Sequence, residues 1–330
     1  MRYDIGIDLG GTNIVAGLVD EDGKILKKMS KPTGAGRASG RIVKDMAQLA
    51  LSAAEEAGIG MDGVSSIGVG VPGTANADTG VVDFANNLFW KEVPLSALLN
   101  AQTGKPVYIG NDANAAAYGE YTSGAAKGYG SVVAITLGTG IGGGAIIDGR
   151  VLIGFNYSAM EVGHMVIRRG GRPCPCGRLG CWERYASATG LIITTRKAME
   201  DDQKTKLWEI AGGDADKVEG RTAFDAMKAG DETATSVIET YLDDLACGVI
   251  NLINIFQPDI LCVGGGLGNE GETLLAPLRG KVMAEVYSRF SAKNTKIVQA
   301  KLGNDAGIIG AAHLYKMREE ENRNEDSNRN

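Results

Sequence analysis

Two glycine turns, each following an apolar run, constrain this chain more than any other feature. Tyr3–Leu9 runs through Asp8 into Gly10-Gly11-Thr12, and Ser131–Leu137 runs into Gly138-Thr139-Gly140, 128 residues later. After each turn the chain resumes as a strand, Ile14–Val19 or Gly142–Ile147. Each strand meets an Asp-Gly dipeptide, Asp22-Gly23 or Asp148-Gly149, 126 residues apart, before Ile25-Leu26 or Arg150–Ile153. Asp-Gly between apolar runs is a hairpin signal. One strand–turn–strand unit written twice predicts a duplicated fold with a cleft between its halves.

The segments between the repeats have simple signatures. Arg41 to Ala57 carries Ile42, Met46, Leu49 and Ala53 at helical spacing. Ser66–Val71, Val107–Ile109 and Ile260–Val263 read as buried strands, and the last runs into Gly264-Gly265-Gly266. Long helices are expected at Ala188–Glu209 and Thr233–Phe256, with a solvated tail from Met317. At 330 residues and 44% hydrophobic, the chain has apolar mass for about two domains. Its 48 glycines are about twice the usual ~7%, which suggests many tight turns and close backbone approaches to a ligand. A net charge of −6 argues against a nucleic-acid partner. No apolar stretch reaches the ~18 residues of a membrane span, and Met1-Arg2-Tyr3-Asp4 lacks a signal core, so a cytoplasmic protein is expected.

Gly138, Gly140 and Gly143 fit a dinucleotide fingerprint, but a hairpin follows where that motif needs a helix. No Walker sequence and no kinase H-R-D loop occurs. The alternatives for the two turns are ordinary hairpins or a pair of anion-binding concavities on a polyphosphate. Duplication, with Asp8 in one copy only, favours the second, Asp8 then holding Mg²⁺ through water. Asp112 opens an alanine-rich helix after Asn111, so it is either a helix cap or a carboxylate that takes a proton from an attacking hydroxyl. His164, Cys174, Cys176 and Cys181 supply the ligands of a closed tetrahedral Zn²⁺ site, against the bland reading of three separate buried thiols. Cys247 and Cys262 lie in apolar stretches and read as core.

Taken together these motifs resemble the ROK family of sugar kinases and repressors. The matching stretches are Asp8 to Thr12, Val71-Pro72-Gly73, Asn87-Leu88-Phe89-Trp90, Asn111 to Asn114 and Thr136 to Gly144. They continue with Glu161-x-Gly163-His164, the Cys174–Glu183 segment and Gly264-Gly265-Gly266. The resemblance runs from residue 3 to about 313 and is greatest to bacterial glucokinases. It implies an α/β, actin-like (ribonuclease H-like) pair of domains. These are expected to be 1–118 with 306–330, and 119–305 carrying the zinc loop, with a C-terminal helix Ala306–Met317 returning to the first. It implies phosphorylation of glucose by ATP with Asp112 as base. Gly73, Asn87, Asn111, Asp112, Glu161, His164 and Glu183 would bind the sugar. Asp8, Gly10, Gly11, Thr12, Asn13, Thr139, Gly140, Gly265 and Gly266 would bind ATP. A homodimer or higher homo-oligomer is the family expectation.

Three departures bear on substrate. Asn13 stands where many members have lysine, and Tyr157 and Met160 stand where glycine is usual. Other hexoses (N-acetylmannosamine, N-acetylglucosamine, fructose) are therefore alternatives. A sugar-sensing repressor is a further one, but its DNA-binding domain would have to precede Tyr3.

Overall fold

A computed structural model describes residues 1–319. The chain divides into two compact units. One comprises Met1–Ala134, Gly144–Met160 and the chain from Lys301, and the other Ile135–Gly143 and Glu161–Ala300.

The first unit opens with β1 (Tyr3–Leu9), β2 (Asn13–Asp20) and β3 (Ile25–Pro32), an antiparallel meander. Helix α1 (Ser39–Glu56) then crosses to β4 (Val64–Val71), which pairs parallel with β1. Ile42, Val43, Met46 and Leu49 of α1 are buried in one core with Ile5, Ile7 and Leu9 of β1, as the helical spacing predicts. β5 (Thr74–Asn76), β6 (Val81–Ala85) and β7 (Trp90–Val93) form a separate small sheet, followed by α2 (Leu95–Thr103). β8 (Val107–Asn111) then joins β4 in parallel, and α3 (Asp112–Ser123) follows. The sheet order is β3-β2-β1-β4-β8. On edge strand β3, Lys27 and Lys31 pair with Glu56 and Asp45 of α1, so charge guards the open edge.

β9 (Val132–Leu137), β10 (Ile141–Ile147) and β11 (Arg150–Val151) repeat the opening meander. They stand in a five-stranded sheet of order β11-β10-β9-β12-β13. A strand, not a helix, thus follows Gly140. The two Asp-Gly turns differ in detail: Asp148 and Gly149 both take positive φ, whereas only Gly23 does in the first. Helices α4 (Glu183–Ala186), α5 (Ala188–Asp201), α6 (Leu207–Ile210), α7 (Thr222–Lys228) and α8 (Glu232–Phe256) follow. The single helix expected over 188–209 is therefore two. Asp202 leaves helical geometry at φ −128°, and its carboxylate accepts from Lys204 N and Thr233 Oγ1. That side-chain bonding competes with the helix ladder. Parallel strands β12 (Ile260–Gly264) and β13 (Lys296–Gln299) flank α9 (Glu272–Glu285). Cys262 lies in the core as expected, while Cys247 is only half-buried.

Helix α10 (Ala306–Ala312) returns to the first unit and lies on β1, β4 and α3. A one-residue turn at His313 interrupts it, and helical geometry resumes over 314–319, so the expected 306–317 is helical but for that residue. Residues 320–330 of the expected tail lie outside the described residues. The glycine content has one clear cause here. A Cβ on Gly6 or Gly68 would overlap the carbonyl oxygen of Ile308 or Ala311, and one on Gly310 would overlap that of Ala115. Helix and strand meet backbone to backbone, a distance only glycine allows.

Candidate active site

In the first unit, β1 delivers Asp8 to its C-terminal end, where the chain turns sharply. Gly10 N donates to Asn13 O at 2.9 Å and closes the Gly10–Thr12 turn. Thr33 braces it, its Oγ1 donating to Gly10 O at 2.7 Å and its N to Thr12 O at 2.8 Å. No sequence motif marked Thr33. Asn87, in the 3₁₀ turn Asn86–Leu88, packs beside Gly11: a Cβ on Gly11 would lie 3.6 Å from that of Asn87. Asn13 is exposed at the start of β2.

Asn111 caps α3, its Oδ1 accepting from Ala113 N at 2.9 Å and Asn114 N at 3.1 Å. Its Nδ2 donates to Gly73 O at 3.1 Å, tying the strand end to the Gly73 turn. The cap thus falls to Asn111, and Asp112 is the first residue inside the helix. One Asp112 oxygen accepts from Ala113 N at 2.8 Å. Burial raises the Asp112 carboxyl above its ordinary range, and that Ala113 bond partly opposes the rise. Asp8 is pushed up to about 6, first by burial and then by the charge of Asp112. Gly307 leaves room for it, since a Cβ there would meet Asp8 Oδ2 at 3.1 Å. Two neighbouring desolvated carboxylates form a site that favours a proton or a cation.

In the second unit, Gly138 N donates to Gly140 O at 3.0 Å, and Ala188 N of α5 donates to Gly138 O at 2.9 Å. Gly265, at φ 81°, lies directly on the backbone of Leu137 at the end of β9. Gly266 opens the next 3₁₀ turn, so these glycines and the Thr139-Gly140 turn share one corner. Glu183 reaches the same corner, since a Cβ on Gly140 would meet its Oε2 at 2.6 Å. Glu161 is exposed, and its carbonyl accepts from His164 N at 3.1 Å in a 3₁₀ turn.

His164, Cys174, Cys176 and Cys181 come together in this unit, their ligand atoms all within 4.8 Å of one another. Cys176 Sγ lies 3.6 Å from Cys181 Sγ, and Cys174 Sγ 3.7 Å from His164 Nδ1. Ligands about 2.3 Å from a tetrahedral ion stand roughly 3.8 Å apart, so the donor set fits a metal. Burial pushes the Cys174 thiol up to about 12, and it donates to Glu183 Oε1 at 3.1 Å. Glu183 Oε1 is also 3.6 Å from His164 Nδ1. One carboxylate therefore touches both the metal cluster and the glycine turn.

The predicted site residues thus form two groups. Asp8, Gly10–Asn13, Gly73, Asn87, Asn111 and Asp112 belong to the first unit. Thr139, Gly140, Glu161, His164, Glu183, Gly265, Gly266 and the three cysteines belong to the second. No described helix is long and apolar enough to cross a membrane.

This combination of an actin-like kinase fold, paired glycine turns and an acidic strand end defines a class. The ROK family model matches residues 4–318, and the chain belongs to the ROK family. It is 39% identical over 320 residues to a glucokinase of Thermotoga maritima, covering 95% of this chain and 97% of that one. It is 37% identical to a glucokinase of Streptomyces coelicolor, with 95% and 98% covered. The crystal structure of a ROK family glucokinase from Streptomyces griseus, in complex with glucose and AMPPNP, superposes with a TM-score of 0.82 at 35% identity. That match covers 94% of this chain and 98% of that one.

Proposed function

We infer that this chain is a sugar kinase that transfers the γ-phosphoryl group of ATP to glucose, giving glucose 6-phosphate. Glucokinases similar along nearly their whole length support the reaction, as does a related structure in complex with glucose and AMPPNP. The observation that carries the mechanism is Asp112, a half-buried carboxyl of raised proton affinity at the end of a strand. Asp112 accepts the proton of the sugar hydroxyl as it attacks phosphorus. Asn111 holds that carboxylate in place through the helix cap and its bond to Gly73 O.

The glycine turns at Gly10–Thr12 and Thr139-Gly140, with Asn13, present backbone N–H groups to the phosphates, and Gly265-Gly266 face the adenosine. Asp8 is the residue that would hold Mg²⁺, which when bound neutralises charge on the phosphates. Gly73, Asn87, Asn111, Glu161, His164 and Glu183 bind the sugar hydroxyls. Zn²⁺ fits the Cys₃His cluster as a structural ion. With Nδ1 of His164 directed at the cluster, Nε2 is the nitrogen left for a hydroxyl. A cytoplasmic homo-oligomer completes the reading, on the family resemblance.

A kinase for another hexose is the second reading. Tyr157 and Met160 hold positive φ of 60° and 66° just before Glu161, strained geometry for side-chain-bearing residues. ADP release should be measured with glucose, fructose, mannose, N-acetylglucosamine and N-acetylmannosamine. Glucose should give the highest kcat/KM, and a better substrate among the others would replace it.

A further inference from the structure

Thr33, which braces the Gly10–Thr12 turn, is itself held by a network that reaches outside the proposed site. β3 ends at Pro32, and the loop 33–38 leads into α1. Thr33 is buried and meets the turn with two donors, Oγ1 to Gly10 O and N to Thr12 O. Two carbonyls of the turn are thereby occupied. No described hydrogen bond uses the N–H of Gly11 or of Thr12. A turn with occupied carbonyls and free N–H groups presents the positive ends of its peptide dipoles, as an anion cradle needs.

Arg37 closes the other side of Thr33. Its Nε donates to Thr33 O at 3.0 Å, and its Nη2 donates to the same oxygen. Nη2 also donates to Asp45 Oδ2 of α1 at 2.8 Å, and Lys31 Nζ donates to Asp45 Oδ1 at 2.6 Å. The Lys31 bond first, and then Arg37, hold the Asp45 carboxyl below its ordinary range, so it stays ionised and keeps the guanidinium oriented. The backbone makes room for the clamp: Gly34 takes φ 58°, and a Cβ there would meet Arg37 Nε at 2.8 Å. A rigid guanidinium fork fixes one carbonyl in a way that a flexible ammonium does not.

We propose that Arg37 is a positioning residue for ATP, acting through Thr33 on the Gly10–Thr12 turn, with Asp45 as its anchor. The inference rests on the reading of that turn as a phosphate cradle. Arg37 touches no reacting atom; it sets where the free N–H groups of Gly11 and Thr12 stand. The bond from Asn111 to Gly73 O, on the sugar side, shares no group with this network. Loss of the clamp should therefore weaken nucleotide binding and spare the sugar.

Steady-state ADP release by the full chain should be measured with ATP and glucose varied separately. Arg37→Met keeps the aliphatic stem and removes the fork. It should raise the KM for ATP about 3- to 10-fold, the worth of one hydrogen bond, at an unchanged KM for glucose. Thr33→Val should do the same, and Thr33→Ser, which restores the hydroxyl, should return the KM towards the parent value. The Thr33→Val, Arg37→Met double variant should be no worse than the more impaired single one, because both act through one turn. Asp45→Asn should also raise the KM for ATP, and it decides the question if Arg37→Met does not fold. An unchanged KM for ATP, an equal rise in both KM values, or single effects that multiply in the double variant would overturn the inference while the parent's activity with ATP and glucose stands. A parent chain that forms no ADP with glucose and ATP would overturn the reading of the turn, and this inference with it.

Discussion

Asp8→Asn should make the ligand-free protein more stable at neutral pH. The Asp8 carboxyl ordinarily titrates at 3.8, and in the fold it is pushed up to about 6. Burial is the main cause, the Asp112 charge adds to it, and no described hydrogen bond offsets them. Between these two values the folded chain binds more protons than the unfolded chain. Stability therefore falls as pH rises from about 4 to about 6, and the penalty is complete above pH 7. A rise from 3.8 to about 6 corresponds to about 3 kcal/mol at 1.36 kcal/mol per pH unit. Asparagine has nearly the same shape and no charge to desolvate. Urea unfolding of both proteins should be measured from pH 4 to pH 8. The variant should gain up to about 3 kcal/mol over the parent at pH 7.5, the gain fading towards pH 4, and it should lose kinase activity. Mg²⁺ with ATP should narrow the gap by stabilising only the parent. A gain independent of pH, or a variant less stable than the parent at pH 7.5, would refute the argument that this carboxylate is held at a cost.

Asp112→Asn should lower kcat at least ~10²-fold with little change in glucose affinity. Because Asn111 keeps the helix cap while the desolvated charge is removed, melting at neutral pH should stay the same or rise and not fall. Retained turnover in a steady-state assay would reduce Asp112 to a structural residue. Elemental analysis should find about one Zn²⁺ per chain, and Cys176→Ser should lose it and raise the KM for glucose more than that for ATP. Zinc uptake should also release protons and tighten as pH rises, since burial keeps the Cys174 thiol protonated. Gly68→Ala should cost at least about 3 kcal/mol in urea unfolding, because its Cβ would overlap the Ala311 carbonyl and lift α10 from the sheet.

Much of this protein is written in local pattern. The repeated strand–turn–strand units, α1, α8, the strand before each glycine turn and the cap ahead of Ala113 were all legible, because each depends on neighbours in the chain. The spacing of His164, Cys174, Cys176 and Cys181 was legible for the same reason, since one short loop brings the thiols together. What the sequence left open depended on distant partners. Whether Asn111 or Asp112 caps α3 was settled by geometry, with Gly73 O holding the Asn111 amide. The helix expected over 188–209 breaks because Asp202 finds Thr233, 31 residues away. The small sheet β5-β6-β7 escaped notice because strands of three to five residues carry too little alternation to read. The raised proton affinity of Asp8 has no signature at all in sequence. It comes from burial beside Asp112, 104 positions along the chain, and desolvation exists only once the chain has closed around both carboxylates.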